Sequence, residues 1–273
     1  IVQNEDVVVW ERNNVNERTQ EFYRAPYYFY VDDPEGDHET IYGTKVSKLT
    51  FDDSRAFYKA RKELQDDRDI VMWESDIPAD IRVISQHYYG KPAPALNVTF
   101  LDIEVDYDIN LGFSSTKNPY APINAIAIYH EYNGNMVILT VPPPGTDWTA
   151  ESLATACDAC EPVPKHMNIE YRICRDEREL LLEFCAEIHN SDLLCGWNSE
   201  LFDFPYIAKR MEITLGKRSL RQLSFPGAEM PRFEEIEVMN NVQIKLEVSG
   251  RLLADYMILY KKYEMSQQPS YKL

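Results

Sequence analysis

Phe100-Leu101-Asp102-Ile103-Glu104-Val105 is the stretch on which the fold turns. Along an extended strand, successive side chains point to opposite faces. Leu101, Ile103 and Val105 would then pack on one face, while Asp102 and Glu104 share the other. Carboxylates two residues apart on a strand lie about 7 Å from each other. Oxygen ligands at that spacing can hold hard cations. The same alternation also describes a strand whose charged face simply meets water, and periodicity alone leaves both readings open.

The surroundings of that stretch predict its neighbours. Residues 96–105 read as a first strand, 123–131 as a second and 136–141 as a third, with the hairpin signal Asn133-Gly134 between the last two. Pro142-Pro143-Pro144-Gly145 closes the meander. Residues 176–188 read as a helix with an apolar stripe of Leu180, Leu181, Phe184 and Ile188. A short buried strand at 193–195 precedes a second helix at 201–213, with Pro205 in its first turns, where proline is tolerated. Residues 234–248 alternate around Asn240-Asn241 and predict a protruding hairpin with few core contacts; 252–263 reads as a short strand or a helix. The order is that of an α/β domain with a mixed sheet.

Upstream, Gly90-Lys91-Pro92-Ala93-Pro94 resists both helix and central strand and marks a domain boundary. Residues 1–95 are expected to form a smaller α+β domain. It has β-rich runs at Val7-Val8-Val9-Trp10 and Tyr27-Tyr28-Phe29-Tyr30-Val31, and a helix capped by Asp53 or Ser54 that places Phe57, Ala60 and Leu64 on one face.

The chain's 28 Lys and Arg against 45 Asp and Glu give a net charge of −17. Residues 1–95 contribute 12 basic and 19 acidic side chains, so both parts are acidic. That balance disfavours tight duplex binding through phosphate contacts, although bound metal ions can mediate contact with nucleic acid. No run approaches the ~18 apolar residues of a membrane span. Five cysteines, an odd number, argue against a disulfide scaffold and suit a reducing cytoplasm. The opening Ile1-Val2-Gln3 reads as a fragment rather than a signal peptide.

A second constellation follows the short strand: Gly196-Trp197-Asn198-Ser199-Glu200-Leu201-Phe202-Asp203. Alone, Asp203 is equally well read as an acid favoured by a helix N-terminus. Asp-x-Glu in the first strand of a meander and Asn-x4-Asp after the next strand together resemble the first two exonuclease motifs of family B DNA polymerases. Gly250-Arg251-x3-Asp255 and Ser270-Tyr271-Lys272-Leu273 are similar to the stretches that follow in that family, and the run Asp255 to Lys262 resembles its T-even-type phage branch.

The resemblance implies a ribonuclease-H-like (DEDD) exonuclease domain over 96–273, preceded by the family's amino-terminal domain over 1–95. It implies proofreading 3′–5′ hydrolysis at a single-stranded DNA 3′ end by two Mg2+ or Mn2+ ions. Asp102, Glu104 and Asp203 would be the catalytic metal ligands, and Asn198, Phe113 and Phe202 the DNA contacts. The palm, fingers and thumb of the polymerase, and a sliding clamp, would be partners, in the cytoplasm of a phage's host. The family's third motif, Tyr-x3-Asp, does not occur after Ser270-Tyr271-Lys272-Leu273. This chain is therefore expected to be cut short and nearly inactive alone. Two rival readings stand beside it, a non-catalytic fragment binding single-stranded nucleic acid or replication proteins, and a free-standing exonuclease.

Three smaller signals complete the reading. Cys157-x2-Cys160 with His166 and Cys174 is a weak zinc pattern, against reduced thiols on a loop. Trp197 is expected in the core. Asp176, Glu177 and Glu179 are expected as a solvated first helical turn.

Overall fold

A computed structural model describes residues 1–13, 15–67, 70–160, 167–238, 241–264, 268, 270 and 271. The chain forms two compact units, Ile1–Ala95 and Leu96–Leu273.

The first unit contains strands β1 (Val2–Gln3), β2 (Asp6–Arg12), β3 (Arg18–Arg24), β4 (Tyr27–Asp32), β5 (His38–Glu39) and β6 (Lys45–Phe51), then helix α1 (Ser54–Gln65), β7 (Met72–Trp73) and α2 (Ala79–Tyr88). They make two antiparallel sheets, ordered β1-β2-β3 and β5-β6-β4-β7. Strand β4 alternates cleanly. Tyr27 and Phe29 are buried, and Tyr28 and Tyr30 face the other way. Phe57 on α1 closes the core over Phe29 and Tyr27, with Ala60 and Leu64 on the same face. Asp53 caps α1 by accepting from the Ala56 amide at 2.7 Å.

The second unit begins with β8 (Val98–Val105), β9 (Ile123–His130) and β10 (Asn135–Thr140). Next come α3 (Ala150–Cys160), β11 (Asn168–Ile173), α4 (Glu177–Glu187), β12 (Leu193–Gly196) and α5 (Asp203–Thr214). A 3-10 segment (Lys217–Leu223), β13 (Arg232–Val238), β14 (Asn241–Glu247), β15 (Leu252–Asp255) and α6 (Tyr256–Tyr263) complete it. Six strands form one mixed sheet ordered β11-β10-β9-β8-β12-β15. The β8-β9-β10 meander is antiparallel, while β12 runs parallel to both β8 and β15, and β11 parallel to β10. An antiparallel meander continued by parallel strands, with helices completing the fold, is a ribonuclease-H-like α/β architecture. The core gathers Leu101 and Ile103 of β8, Ile126 and Ile128 of β9, and Leu180, Leu181 and Phe184 of α4.

The structure differs from the expectations in instructive places. Cys157 and Cys160 lie on helix α3, not on a loop. Cys174 is buried in the core, and among the described residues no group of three or more His, Cys, Asp or Glu is placed to hold a metal; His166 lies outside the described residues. Glu177 is not solvated. It accepts from Arg210 Nε at 2.8 Å, from Thr214 Oγ1 at 2.9 Å and from the Ile123 amide at 2.8 Å, tying α4 to α5 and β9.

The β13–β14 hairpin is a separate two-stranded sheet, as an alternating pattern around a turn requires. Its inner end is nevertheless anchored. Leu246 is buried, Phe233 and Val248 pack on the core, and Lys209 lies 3.9 Å above the Phe233 ring. Asn240 lies outside the described residues. Residues 252–263 supply both of the expected elements, β15 and then α6.

Candidate active site

Strand β8 sits at the middle of the six-stranded sheet and runs buried–exposed in strict alternation from Leu101 to Glu104. Leu101 and Ile103 enter the core, so Asp102 and Glu104 are forced onto the outward face together. Asp203 reaches the same strand from the other side of the parallel pair. It is the first residue of α5 and is only 3% exposed. Its Oδ1 accepts the Ile103 amide at 3.2 Å, which ties the carboxylate to β8.

Three devices bring it there. Gly196 ends β12 so close to β8 that a Cβ on it would stand 2.7 Å from the Leu101 carbonyl oxygen and 2.8 Å from Ser199 Cβ. Asn198 then takes a left-handed backbone, φ 58°, which Asn tolerates better than most residues. Asp255 holds the turn from the neighbouring parallel strand. Its carboxylate accepts the Asn198 amide at 3.1 Å and the Glu200 amide at 3.2 Å, and its Oδ1 also caps α6 through the Met257 amide at 2.9 Å. Pro205, without an N–H, falls in the first turn of α5, where none is needed.

The electrostatics follow from that packing. Burial, then the nearby Asp102 charge, push Asp203 up to about 7 against the pull of the Ile103 amide; Asp255 adds a further like charge. Asp102 is also raised by the protein around it, although its side chain still reaches solvent. A buried acid pressed against a second acid and made of hard oxygen donors is an arrangement a divalent cation would relieve. Glu104 is exposed on the same face. Among the described residues no three acids are close enough to form a ready ligand set, so the structure pairs Asp102 with Asp203 more closely than it gathers all three.

The other expected contacts are distributed unevenly. Asn198 is in the turn, half-buried, with its amide used by Asp255. Phe113 is 90% exposed, its ring tilted against Tyr107 with centroids 5.1 Å apart, so it does not anchor its loop. The anchor is Tyr206 of α5, whose hydroxyl lies 2.7 Å from both Ser114 Oγ and the Ala121 carbonyl oxygen, aided by Arg210 on the Pro119 carbonyl at 2.9 Å. Phe202 packs partly against the core and beside the Tyr206 ring at 5.2 Å. Trp197 is half-buried rather than in the core, donating to the Tyr271 carbonyl at 2.7 Å, with the Tyr256 and Tyr260 rings alongside.

Sequence reasoning placed a glycine turn at Gly196 but missed its close approach to β8 and the organising role of Asp255. It also missed Arg251, whose buried guanidinium spans the carbonyls of Ser191, Leu223 and Ile188 at 3.0, 3.0 and 2.8 Å. Gly250-Arg251-x3-Asp255 was visible as a pattern, but not its division of labour: Asp255 fixes the turn that leads to Asp203, while Arg251 ties together segments on either side of it.

Among known proteins, the DNA-directed DNA polymerase of Enterobacteria phage T4 is 25% identical over 272 residues, covering 95% of this chain and 30% of that protein. The DNA-directed DNA polymerase of Escherichia phage RB69 is 29% identical over 187 residues, 65% of this chain and 20% of that protein. The DNA polymerase of Pyramimonas orientalis virus is 29% identical over 124 residues, 42% of this chain and 10% of that protein. The chain thus spans about a third or less of the length of these relatives. Residues 54–273, a span that takes in Asp102, Glu104, Asn198 and Asp203, match the family described as the exonuclease domain of DNA polymerase family B, and the chain belongs to that family.

Proposed function

We propose that this chain is the proofreading 3′–5′ exonuclease region of a phage replicative DNA-directed DNA polymerase, acting on a single-stranded DNA 3′ end. The carrying observation is Asp203, buried at the start of α5, bonded to the Ile103 amide and raised to about 7 beside Asp102. Structural acids at helix starts are usually solvated and unshifted. One pressed into a cleft against a second acid suits a metal-dependent site.

Asp102 and Asp203 would hold a Mg2+ or Mn2+ ion between them, and Glu104 would serve a second ion on the same strand face. Two such ions would lower the pKa of an attacking water and stabilise the attacking and leaving oxygens. The chain's own residues do the positioning. The Ile103 amide fixes the Asp203 carboxylate, and Asp255 fixes the turn that bears Asn198 for the terminal nucleotide. Exposed Phe113 offers a ring to an unstacked base, worth about 1–3 kcal/mol without sequence preference. Residues 1–95 would be the amino-terminal domain of the polymerase. The polymerase's palm, fingers and thumb, and a sliding clamp, would complete the setting in the host cytoplasm.

The test is Mn2+ titration by calorimetry on this chain, together with nucleotide release from a 3′-labelled single strand. Asp102→Ala and Asp203→Asn should each weaken Mn2+ binding by about tenfold or more and slow release. A single strand with Mn2+ should be digested faster by the unaltered chain than by either variant, in proportion to the Mn2+ each binds. Metal binding and digestion indifferent to both acids would sink the reading and leave a non-catalytic nucleic-acid-binding role.

A further inference from the structure

In the first unit, the face of β4 that turns away from the core carries a second arrangement of chemistry. Tyr28 on that face is already covered by cations, with Arg82 lying 3.7 Å and Lys48 3.8 Å from its ring centre. Arg82 is held there by Glu74, through its carboxylate at 2.9 Å and its carbonyl at 2.6 Å. Glu74 adopts a left-handed backbone, φ 58°, that costs a non-glycine residue energy and so has to be imposed by its surroundings.

Two residues along β4, the next ring on the same face is Tyr30, paired across the strands with Trp73 of β7. These two rings form the wall of a cavity of about 470 Å³, whose lining also includes Tyr42, His38, Glu39 and Glu74. That volume is in the range of small-ligand pockets, roughly 300–1,000 Å³. The Tyr42 and Trp73 rings stand 6.0 Å apart, and Tyr30 and His38 5.3 Å apart. Tyr42 is 76% exposed, so a large aromatic side chain is left at the mouth. Both charged residues in the lining are acids; Glu74 is already paired with Arg82, while Lys45 approaches Glu39 at 3.9 Å in an exposed pair that contributes little.

Aromatic faces with carboxylates at the rim attract cations, and most strongly a guanidinium or ammonium that stacks on a ring. Phosphates and nucleic acid are repelled by the same rim. We infer that this cavity is a binding site for an arginine side chain presented by a basic segment of a partner protein, repeating the Tyr28–Arg82–Glu74 arrangement that the chain makes internally. The planar guanidinium is favoured over an ammonium because it can stack on Tyr30 or Trp73 while its edge bonds Glu74 or Glu39. The unit's excess of acids, 19 against 12 basic residues, would steer such a segment toward it.

The probe is a blocked Gly-Arg-Gly-Arg-Gly peptide, with lysine and citrulline versions, titrated into the full chain at physiological salt. Binding is read by calorimetry and by the indole N–H resonance of Trp73, assigned through Trp73→Phe. The arginine peptide should shift that resonance saturably, the lysine version more weakly, and neutral citrulline not at all. Trp73→Ala and Glu39→Gln should each lower affinity about fivefold, the effect of ~1 kcal/mol of cation–π or rim interaction. Glu39→Gln carries the charge test because Glu74 also holds Arg82. Glu63→Gln, the same charge change on exposed α1, should leave affinity unchanged. Equal weakening by Glu63→Gln would reduce the effect to bulk charge and overturn the proposal. So would an unmoved Trp73 resonance, or oligothymidylate saturating the same resonance.

Discussion

Asp203 lets the electrostatics of the site be measured as stability, without any substrate. Its carboxyl is pushed up to about 7 in the folded chain, against an ordinary aspartate value of 3.8. A carboxyl raised on folding favours the native state only while it stays protonated. Its contribution is fully present below the unfolded pKa near 4 and is lost as the pH rises through 7. At about 1.4 kcal/mol per pKa unit, the full swing is on the order of 4 kcal/mol, and between pH 5 and pH 8.5 it comes to about 3 kcal/mol. Asp203 is almost wholly buried, so solvent screening does not reduce this. Asp203→Asn removes the ionisation but keeps an oxygen that can accept the Ile103 amide. Urea unfolding with a chelator present, at pH 5 and at pH 8.5, compares the two chains. The wild type should lose about 3 kcal/mol more than the variant across that interval. Saturating Mn2+ should shrink the difference, because binding to the native state alone stabilises it. Parallel pH profiles for the two chains would show that Asp203 is not held buried within reach of the Asp102 charge, and the electrostatic account of the site would fail.

Further expectations concern the scaffold behind that acid. Gly196→Ala places a methyl against the Leu101 carbonyl and Ser199, neither a flexible chain end, and should cost about 1–3 kcal/mol in urea unfolding while weakening Mn2+ binding. Arg251→Ala strands three carbonyls in the interior and should cost about 3 kcal/mol or more; Arg251→Lys should recover less than half, since an ammonium cannot span all three. Burial raises the Cys174 and Cys185 thiols to about 11 and about 12, so with a thiol reagent at pH 8 the exposed Cys160 should react first and those two only on unfolding.

What the sequence discloses here depends on the range of each interaction. The β8 face, the α1 cap at Asp53 and the α4 stripe follow from side chains a few residues apart, and each was readable. Helix α3 and strand β11 were not. They flank residues 161–166, and α3 buries none of its side chains, so no apolar stripe announced it. Glu177 looked like a solvated helix-start acid because its partner Arg210 comes 33 residues later. His130 showed no telling spacing, yet it is buried between Thr99, at 3.0 Å, and Glu187, at 3.1 Å, on two different elements. Asp255 is the sharpest case. The motif around it could be quoted and its cap of α6 is local, but its hold on the Asn198 and Glu200 amides exists only after β15 lies parallel to β12 in register Gly196–Asp255.

The acidic balance of the chain and the DNA substrate proposed for it look incompatible until the two kinds of acid are separated. Exposed carboxylates are screened within about 8–10 Å at physiological salt and set only a general repulsion. Asp102 and Asp203 differ because the sheet and the Gly196 turn hold them together, and the fold bears their repulsion as lost stability at neutral pH. A structure selected for stability alone would place Asn at 203, which keeps the Ile103 hydrogen bond without the charge. Retaining an ionisable group at that cost is what a site requires if its anionic substrate must be approached through a cation. Local strain and charge of this kind persist where function needs them. The devices around the pair act in the same direction. Gly196 and Asp255 add no chemistry of their own; they hold the turn against β8, and a turn free to move away would relieve the two acids and dissolve the site.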